Sequence, residues 1–192
     1  MQEFVRKILI RHGIDVEEAE IAAFGLYNMI LFLMGIIVAV IISIIMGEIG
    51  GIFLFLLFFI PLRTFAGGFH TKHLVSCGIL SSIVIISVGE YYKHCIILNR
   101  ALAIGIFFVS VAIHIFFSPQ DCKSKRLLPK EKERYRYIIF LISAIYILVF
   151  SCAFILRREE IINSIILSLV SSSISVLIAL CNNKICVTIN NN

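Results

Sequence analysis

The chain has 192 residues, of which 60% are apolar and 15% are charged, and its net charge is +5 at pH 7. Its mean hydropathy is +1.02, and a soluble core of this length could not bury so much apolar surface. These values exclude a soluble globular domain and make the lipid bilayer the expected surroundings. We expect no nucleic-acid partner, no cofactor and no bound metal.

Residues 1–23 mix apolar side chains such as Ile8 and Ile10 with charged ones. This pattern is typical of an amphipathic helix, or a pair of helices interrupted at Gly13, that lies at the membrane interface. No cleavable signal peptide is predicted. The segment is interpreted either as a solvated anchor ahead of the first span or as a docking surface for a substrate.

Six apolar groups follow, and their continuity is typical of membrane-spanning helices rather than of one amphipathic soluble domain. They cover residues 24–46, 51–62, 74–88, 96–117, 137–156 and 161–180. The group 51–62 reaches only about 18 Å as a helix, so it is a short crossing, lies in thinned bilayer or re-enters. The group 74–88 is also short, and the two flank residues 63–73.

The sequence therefore predicts an all-α, polytopic membrane bundle formed by a single domain over residues 1–192. Its parts are the amphipathic segment 1–23, the transmembrane bundle 24–181 and a polar tail 182–192. If all six groups cross, 13 of the 17 Lys and Arg residues fall on one side. Because positive residues concentrate on the cytoplasmic side, both termini and the loop 118–136 are expected in the cytoplasm of a bacterial cell.

The six cysteines form no CxxC pair and no repeated spacing, which indicates neither a zinc site nor a disulfide framework. Cys152 and Cys181 lie within apolar runs and are interpreted as small apolar side chains. Cys77 differs from them because of its neighbours.

Residues 63–77 read RTFAGGFHTKHLVSC and bring together the groups that a nucleophilic site needs. Imidazole titrates near neutral pH and can take a proton from a thiol, and the thiolate is the stronger nucleophile. Gly67 and Gly68 would let a substrate backbone approach closely. The duller interpretation is a tight turn between two helices, in which the thiol is inert and Arg63 is only a topology signal.

This stretch resembles the signature of the accessory gene regulator B (AgrB) family of membrane-embedded cysteine endopeptidases. The resemblance rests on Arg63, Gly67-Gly68, His70 and Cys77, in that order and spacing, and more loosely on the basic loop that follows Ser118. It implies that the chain processes an AgrD-type quorum-sensing pro-peptide. It also suggests a homodimer.

The resemblance implies His70 as the base and Cys77 as the nucleophile that forms a thioester, from which a thiolactone or lactone ring closes. In a straight helix His70 would lie about 10 Å from Cys77 along the axis, beyond hydrogen-bond reach, so helix geometry alone favours His73. Because the resemblance nevertheless favours His70 as the base, we predict that the helix begins after His70. Arg63 is a further candidate for orienting the loop, pairing with a substrate carboxylate or stabilising an oxyanion, and Ser76 is another candidate donor to the oxyanion.

The loop 118–136 holds seven Lys or Arg against three acidic residues. Lys123, Lys125 and Arg126 are candidates for binding an acidic substrate tail, although positive-inside topology and lipid headgroups explain them equally well. Two other classes of function stay open. One is a small transporter or peptide exporter, which the short segments favour, and the other is a non-enzymatic membrane scaffold.

Overall fold

The structure, a computed structural model, describes residues 2–11, 13, 15–67, 74–94, 99–120 and 129–190. Within these ranges the chain forms seven α-helices and no β-strand, which confirms the predicted all-α architecture. The helices are α1 (Gln2–Arg11), α2 (Val16–Met46), α3 (Ile49–Ala66), α4 (Leu74–Lys93), α5 (Arg100–Phe117), α6 (Pro129–Ile155) and α7 (Glu159–Asn190).

Residues 1–42 form one compact unit and residues 43–192 form a second. In the first unit the chain turns between α1 and α2 at Gly13, whose φ is 85°, as the interruption predicted there requires. The Asp15 side chain then accepts a hydrogen bond from the N–H of Val16 at 2.8 Å at the start of α2. The boundary predicted at residue 23 falls inside α2, because the acidic residues before it are good helix formers.

Four helices in the described part of the chain are long and apolar enough to cross a membrane. They are Ile49–Ala66, Arg100–Phe117, Lys130–Ile155 and Glu159–Cys181. In α2 the apolar stretch Phe32–Met46 is shorter. Side chains on the outer surfaces of these helices are largely apolar, including Phe53, Phe108 and Leu148, as expected where lipid is the solvent.

The second apolar group is longer as a helix than its hydropathy indicated. A run of apolar residues stops at Arg63, whereas α3 continues to Ala66 and has 18 residues, which corresponds to about 27 Å. The helix is continuous through Pro61. α4 has 20 residues and likewise extends beyond the predicted group 74–88. The added part of α3 includes Arg63 and Thr64, and that of α4 includes Glu90 and Lys93, polar residues at which the apolar groups end.

The core of the second unit lies where α3, α5, α6 and α7 meet. Phe107 of α5 stacks on Phe150 of α6 with ring centroids 4.0 Å apart. Tyr146 of α6 donates its hydroxyl to the carbonyl of Phe58 in α3, and the two rings meet edge to face at 5.4 Å. Large aromatic side chains therefore fill the space between α3, α5 and α6.

α7 meets its neighbours through small polar side chains as well as through buried apolar ones such as Ile165 and Leu169. Ser164, Ser168 and Ser172 recur every fourth residue and are fully buried. Residues at this spacing share one helix face, so the face of α7 toward the bundle includes a row of serines. Small residues at helix interfaces let backbones approach closely in a membrane, where apolar burial gives little advantage over lipid.

The two ends of this unit carry different contacts. At one end the Tyr92 hydroxyl of α4 bonds Ser164, and Arg100 at the start of α5 pairs with Glu159 at the start of α7 at 3.0 Å. At the other end the chain after α3 meets the chain after α5, at Gly67 and Gln120. α3, α5 and α7 therefore run in the same direction, as alternating crossings require.

Candidate active site

Arg63 anchors the end of α3, where the predicted catalytic segment begins. Its Nη1 donates to the carbonyl oxygen of Gly67 at 3.2 Å and to the hydroxyl of Ser175 on α7. The guanidinium is partly buried, so water competes less for these hydrogen-bonding groups than it would at an exposed site. Of the three roles considered for Arg63, the described contacts are those of a group that orients the chain leaving α3.

Glycine is the only residue type that position 67 allows. It has φ of 71° and ψ of −153°, a combination essentially restricted to glycine. It also forms an isolated parallel bridge with Gln120, whose N–H donates to the carbonyl of Ala66 at 3.1 Å. A Cβ at Gly67 would run into the carbonyl oxygen of Gln120. The glycine thus permits both the turn and the close approach of the two chain segments.

Cys77 is the fourth residue of α4 as it is described, Leu74–Lys93. Ser76 precedes it, and the side chains of both residues fall outside what the structure describes. Gly68, His70 and His73 lie outside the described residues altogether, as does the point at which the helix was predicted to begin after His70. The choice between the two histidines stays a prediction.

The first turn of a helix is a favourable place for a nucleophilic thiol. Its backbone N–H groups have no partners within the helix, and the helix dipole favours negative charge there. If the helix begins after His70, as predicted, a thiolate at Cys77 and an oxyanion formed beside it would both lie close to this field. The backbone position of Cys77 is therefore compatible with the chemistry that its neighbours indicate.

The start of the loop 118–136 lies at the end of the bundle where α3 ends. Gln120 is bridged to Gly67, and the ring of Tyr135 in α6 meets that of Phe65 in α3 edge to face at 5.6 Å. Lys123, Lys125 and Arg126 lie outside the described residues. The predicted loop 118–136 is partly helical, because α6 already begins at Pro129, a residue well suited to the first position of a helix.

The sequence predictions did not include a second polar cluster between α5 and α7. His114 is completely buried, and its Nδ1 lies 2.8 Å from the carbonyl of Ser110 while its Nε2 lies 2.9 Å from the hydroxyl of Ser172. A carbonyl only accepts, so Nδ1 carries the proton and Nε2 accepts from Ser172. An ionisable residue inside a predicted span is itself a signal of function, and His114 could have been singled out on that ground.

Among the described residues no group of three His, Cys, Asp or Glu side chains is placed to hold a metal ion. Cys152 and Cys181 are free thiols on the exposed surfaces of α6 and α7. A cavity of about 540 Å³ opens at the turn between α6 and α7 and is lined by Arg157, Arg158 and Glu160. It lies at the end of the bundle that holds Arg100 and Glu159, not at the end that holds Gly67.

The fold and these contacts define a polytopic α-helical membrane protein in which the end of α3, at Gly67, is held against the chain that follows α5. The family model of accessory gene regulator B matches residues 2–176, and the chain belongs to the AgrB family. Membership supports a role in the accessory gene regulator system.

One relative is a protein described as AgrB-like from Clostridium perfringens (strain SM101 / Type A). It is 28% identical over 167 residues, which cover 81% of this chain and 78% of the relative. No solved structure matches the chain.

Proposed function

We propose that this protein is a membrane cysteine endopeptidase that removes the C-terminal tail of an AgrD-type pro-peptide and promotes closure of a thiolactone or lactone ring. The observation that carries the proposal is the segment with Gly67-Gly68, His70 and Cys77, which leads from the anchored end of α3 into α4. Family membership supports the same activity.

In the first step His70 takes the proton from the Cys77 thiol, and the thiolate attacks the carbonyl carbon of the scissile peptide bond. The tetrahedral intermediate places negative charge on the former carbonyl oxygen. Backbone N–H groups in the first turn of α4, with Ser76 as a further donor, are suited to stabilise that charge. The C–N bond then breaks, the tail leaves as an amine with a proton returned by the His70 imidazolium, and the signal segment stays on Cys77 as a thioester.

In the second step an internal cysteine or serine of the substrate attacks the thioester carbonyl. The new acyl–sulfur or acyl–oxygen bond closes the ring, and Cys77 is released as a thiol. Exchange between thioesters is close to neutral in free energy, whereas hydrolysis would lose the activated carbonyl. A site at the bilayer boundary limits water and favours the tethered nucleophile through its high effective concentration.

The substrate tail would bind to the basic chain after α5. The bridge between Gly67 and Gln120 supports this, because it joins the beginning of that chain to the end of α3 from which the catalytic segment leaves. Positive side chains there would attract an acidic tail. Neutralising Lys123, Lys125 and Arg126 together should weaken tail release, and unchanged release from normally inserted protein would contradict this part of the proposal.

The orientation follows from the charge bias, with both termini and the residues 118–136 in the cytoplasm. The common location of Gly67 and Gln120 supports placing the catalytic segment and the basic chain on one side. An impermeant maleimide applied to intact cells should leave Cys122 unlabelled and label it after permeabilisation. Labelling of intact cells would reverse the orientation.

The activity is tested by co-expressing the chain with a pro-peptide that has an amphipathic leader, a cysteine or serine core and an acidic tail. Mass measurement should detect the released tail and a thioester adduct on the protein. Cys77→Ala should abolish both, while Cys152→Ala, a thiol on the outer surface of α6, should keep them. Tail release by correctly inserted Cys77→Ala would refute the proposal, and absence of release by the parent chain would favour an exporter or a scaffold.

A further inference from the structure

At the end of the bundle where α3 ends, a ring of polar contacts connects three helices. Arg63 bonds both Gly67 and Ser175, which links the end of α3 to α7. Three residues earlier on α7, Ser172 bonds His114 of α5. Ser172 and Ser175 lie about one turn apart, so both contacts use neighbouring positions on α7.

The ring returns to α3 through the end of α5. The N–H of Ser118 donates to the carbonyl of His114 at 3.1 Å. Two residues later the N–H of Gln120 donates to the carbonyl of Ala66, also at 3.1 Å, and Gln120 bridges Gly67. The three helices α3, α7 and α5 are therefore connected in a closed circuit that begins and ends at the residue from which the catalytic segment departs.

Such contacts are not needed to hold a helix bundle together. Polar groups within a membrane are costly unless they are paired, and interhelical hydrogen bonds there contribute only about 1 kcal/mol each. Aromatic packing of Phe107 on Phe150 and of Phe58 on Tyr146 already joins α3, α5 and α6. What directed hydrogen bonds add is a fixed geometry, because each requires its two atoms at one distance and angle.

We propose that Ser175, Ser172 and His114 are positioning residues of the peptidase site. Ser175 holds the Arg63 guanidinium that bonds the carbonyl of Gly67. Ser172 holds α5 through His114, and Gln120, which follows α5, bridges Gly67. Gly67 in turn fixes the start of the segment that ends at Cys77. This inference rests on the proposed peptidase function. None of the three is assigned contact with the substrate, and each acts through the chain of contacts that ends at Gly67.

Ser168 is a matched control on the same helix. It is as fully buried as Ser172, but its hydroxyl donates to the carbonyl of Ile165 within α7. The change Ser168→Ala therefore removes the same hydroxyl from the same helix face without opening the ring. Ser175→Thr keeps a hydroxyl at the position that Arg63 contacts and provides the conservative rescue.

The experiment measures tail release from the pro-peptide and alkylation of Cys77 without substrate, over a range of pH, in membranes containing equal amounts of each variant. Ser175→Ala and Ser172→Ala should lower kcat on the order of 10- to 100-fold, because small displacements of reacting groups have effects of this size. KM should change little, the pH profile of alkylation should move, and Ser175→Thr should recover most of the rate. Ser168→Ala should match the parent chain in all readouts.

The inference is overturned if Ser175→Ala and Ser172→Ala behave like Ser168→Ala. It is equally overturned if all three serine variants lose activity to the same extent, since that result describes helix packing alone. Cys77→Ala separates the two levels of the argument. If it still releases the tail, the peptidase proposal fails and the positioning roles fall with it; if it is inactive while Ser175→Ala is fully active, only the positioning roles fail.

Discussion

The change Gly67→Ala tests the backbone geometry at the start of the catalytic segment. With φ of 71° and ψ of −153°, an alanine would adopt a conformation that costs about 1–3 kcal/mol. Its Cβ would also meet the carbonyl oxygen of Gln120, and no side-chain change at that position relieves a clash with backbone. Since about 1.4 kcal/mol corresponds to tenfold, the bridged arrangement should become roughly 5- to 150-fold less populated from backbone strain alone.

The assay is tail release by membranes that carry equal amounts of inserted protein. We expect Gly67→Ala to lose at least about tenfold in kcat, because the strain and the clash act together. Gly105→Ala in α5 is the control, since no atom lies within 4 Å of a Cβ built there. It should remain fully active, because alanine is a better helix former than glycine. If Gly67→Ala were as active as Gly105→Ala, the bridge to Gln120 would have no role in catalysis.

Two further predictions concern other parts of the chain. His70→Ala should abolish tail release while His73→Ala keeps it, and the reverse result would move the base to His73. Gly51→Ala should lower the free energy of unfolding of the detergent-solubilised protein by about 1–3 kcal/mol, and with it the melting temperature, because a Cβ there would lie only 2.7 Å from the ring of Tyr92. Gly50→Ala meets no such neighbour and should not lower it; equal melting temperatures for the two variants would contradict the described packing.

The class of fold could be predicted because lipid imposes a simple rule on sequence. Every backbone polar group must be satisfied within its own segment, so long apolar runs become helices. The ends of helices were less predictable, as α3 shows. Hydropathy counts side chains, whereas the helix continues past Arg63 because that guanidinium finds a carbonyl partner at Gly67. A charge at the edge of an apolar run therefore marks where the run ends and not where the helix ends.

The candidate site was predicted only in part, since its motif is local and its supports are distant in sequence. Residues 63–77 carry the order of Arg, Gly-Gly, His and Cys within one short stretch. Ser175 lies 112 residues from Arg63, and Ser172 lies 58 residues from His114. A single sequence contains no repeating pattern that shows which residues so far apart are in contact. His114 could be suspected from its location in an apolar span, but its partner required the fold.

The contacts at the two ends of the bundle differ in kind, and the difference bears on which end is built for chemistry. The end with Tyr92 has the hydrogen bond between Tyr92 and buried Ser164 and an exposed ion pair between Arg100 and Glu159, and an exposed pair contributes little and tolerates change. The end with Gly67 has directed hydrogen bonds to partly or fully buried groups and a backbone conformation open only to glycine. A structure maintained at such a cost in a membrane needs a reason beyond stability, and the geometry of a nucleophile provides one. Substitutions that open the ring should therefore impair catalysis far more than they lower the melting temperature.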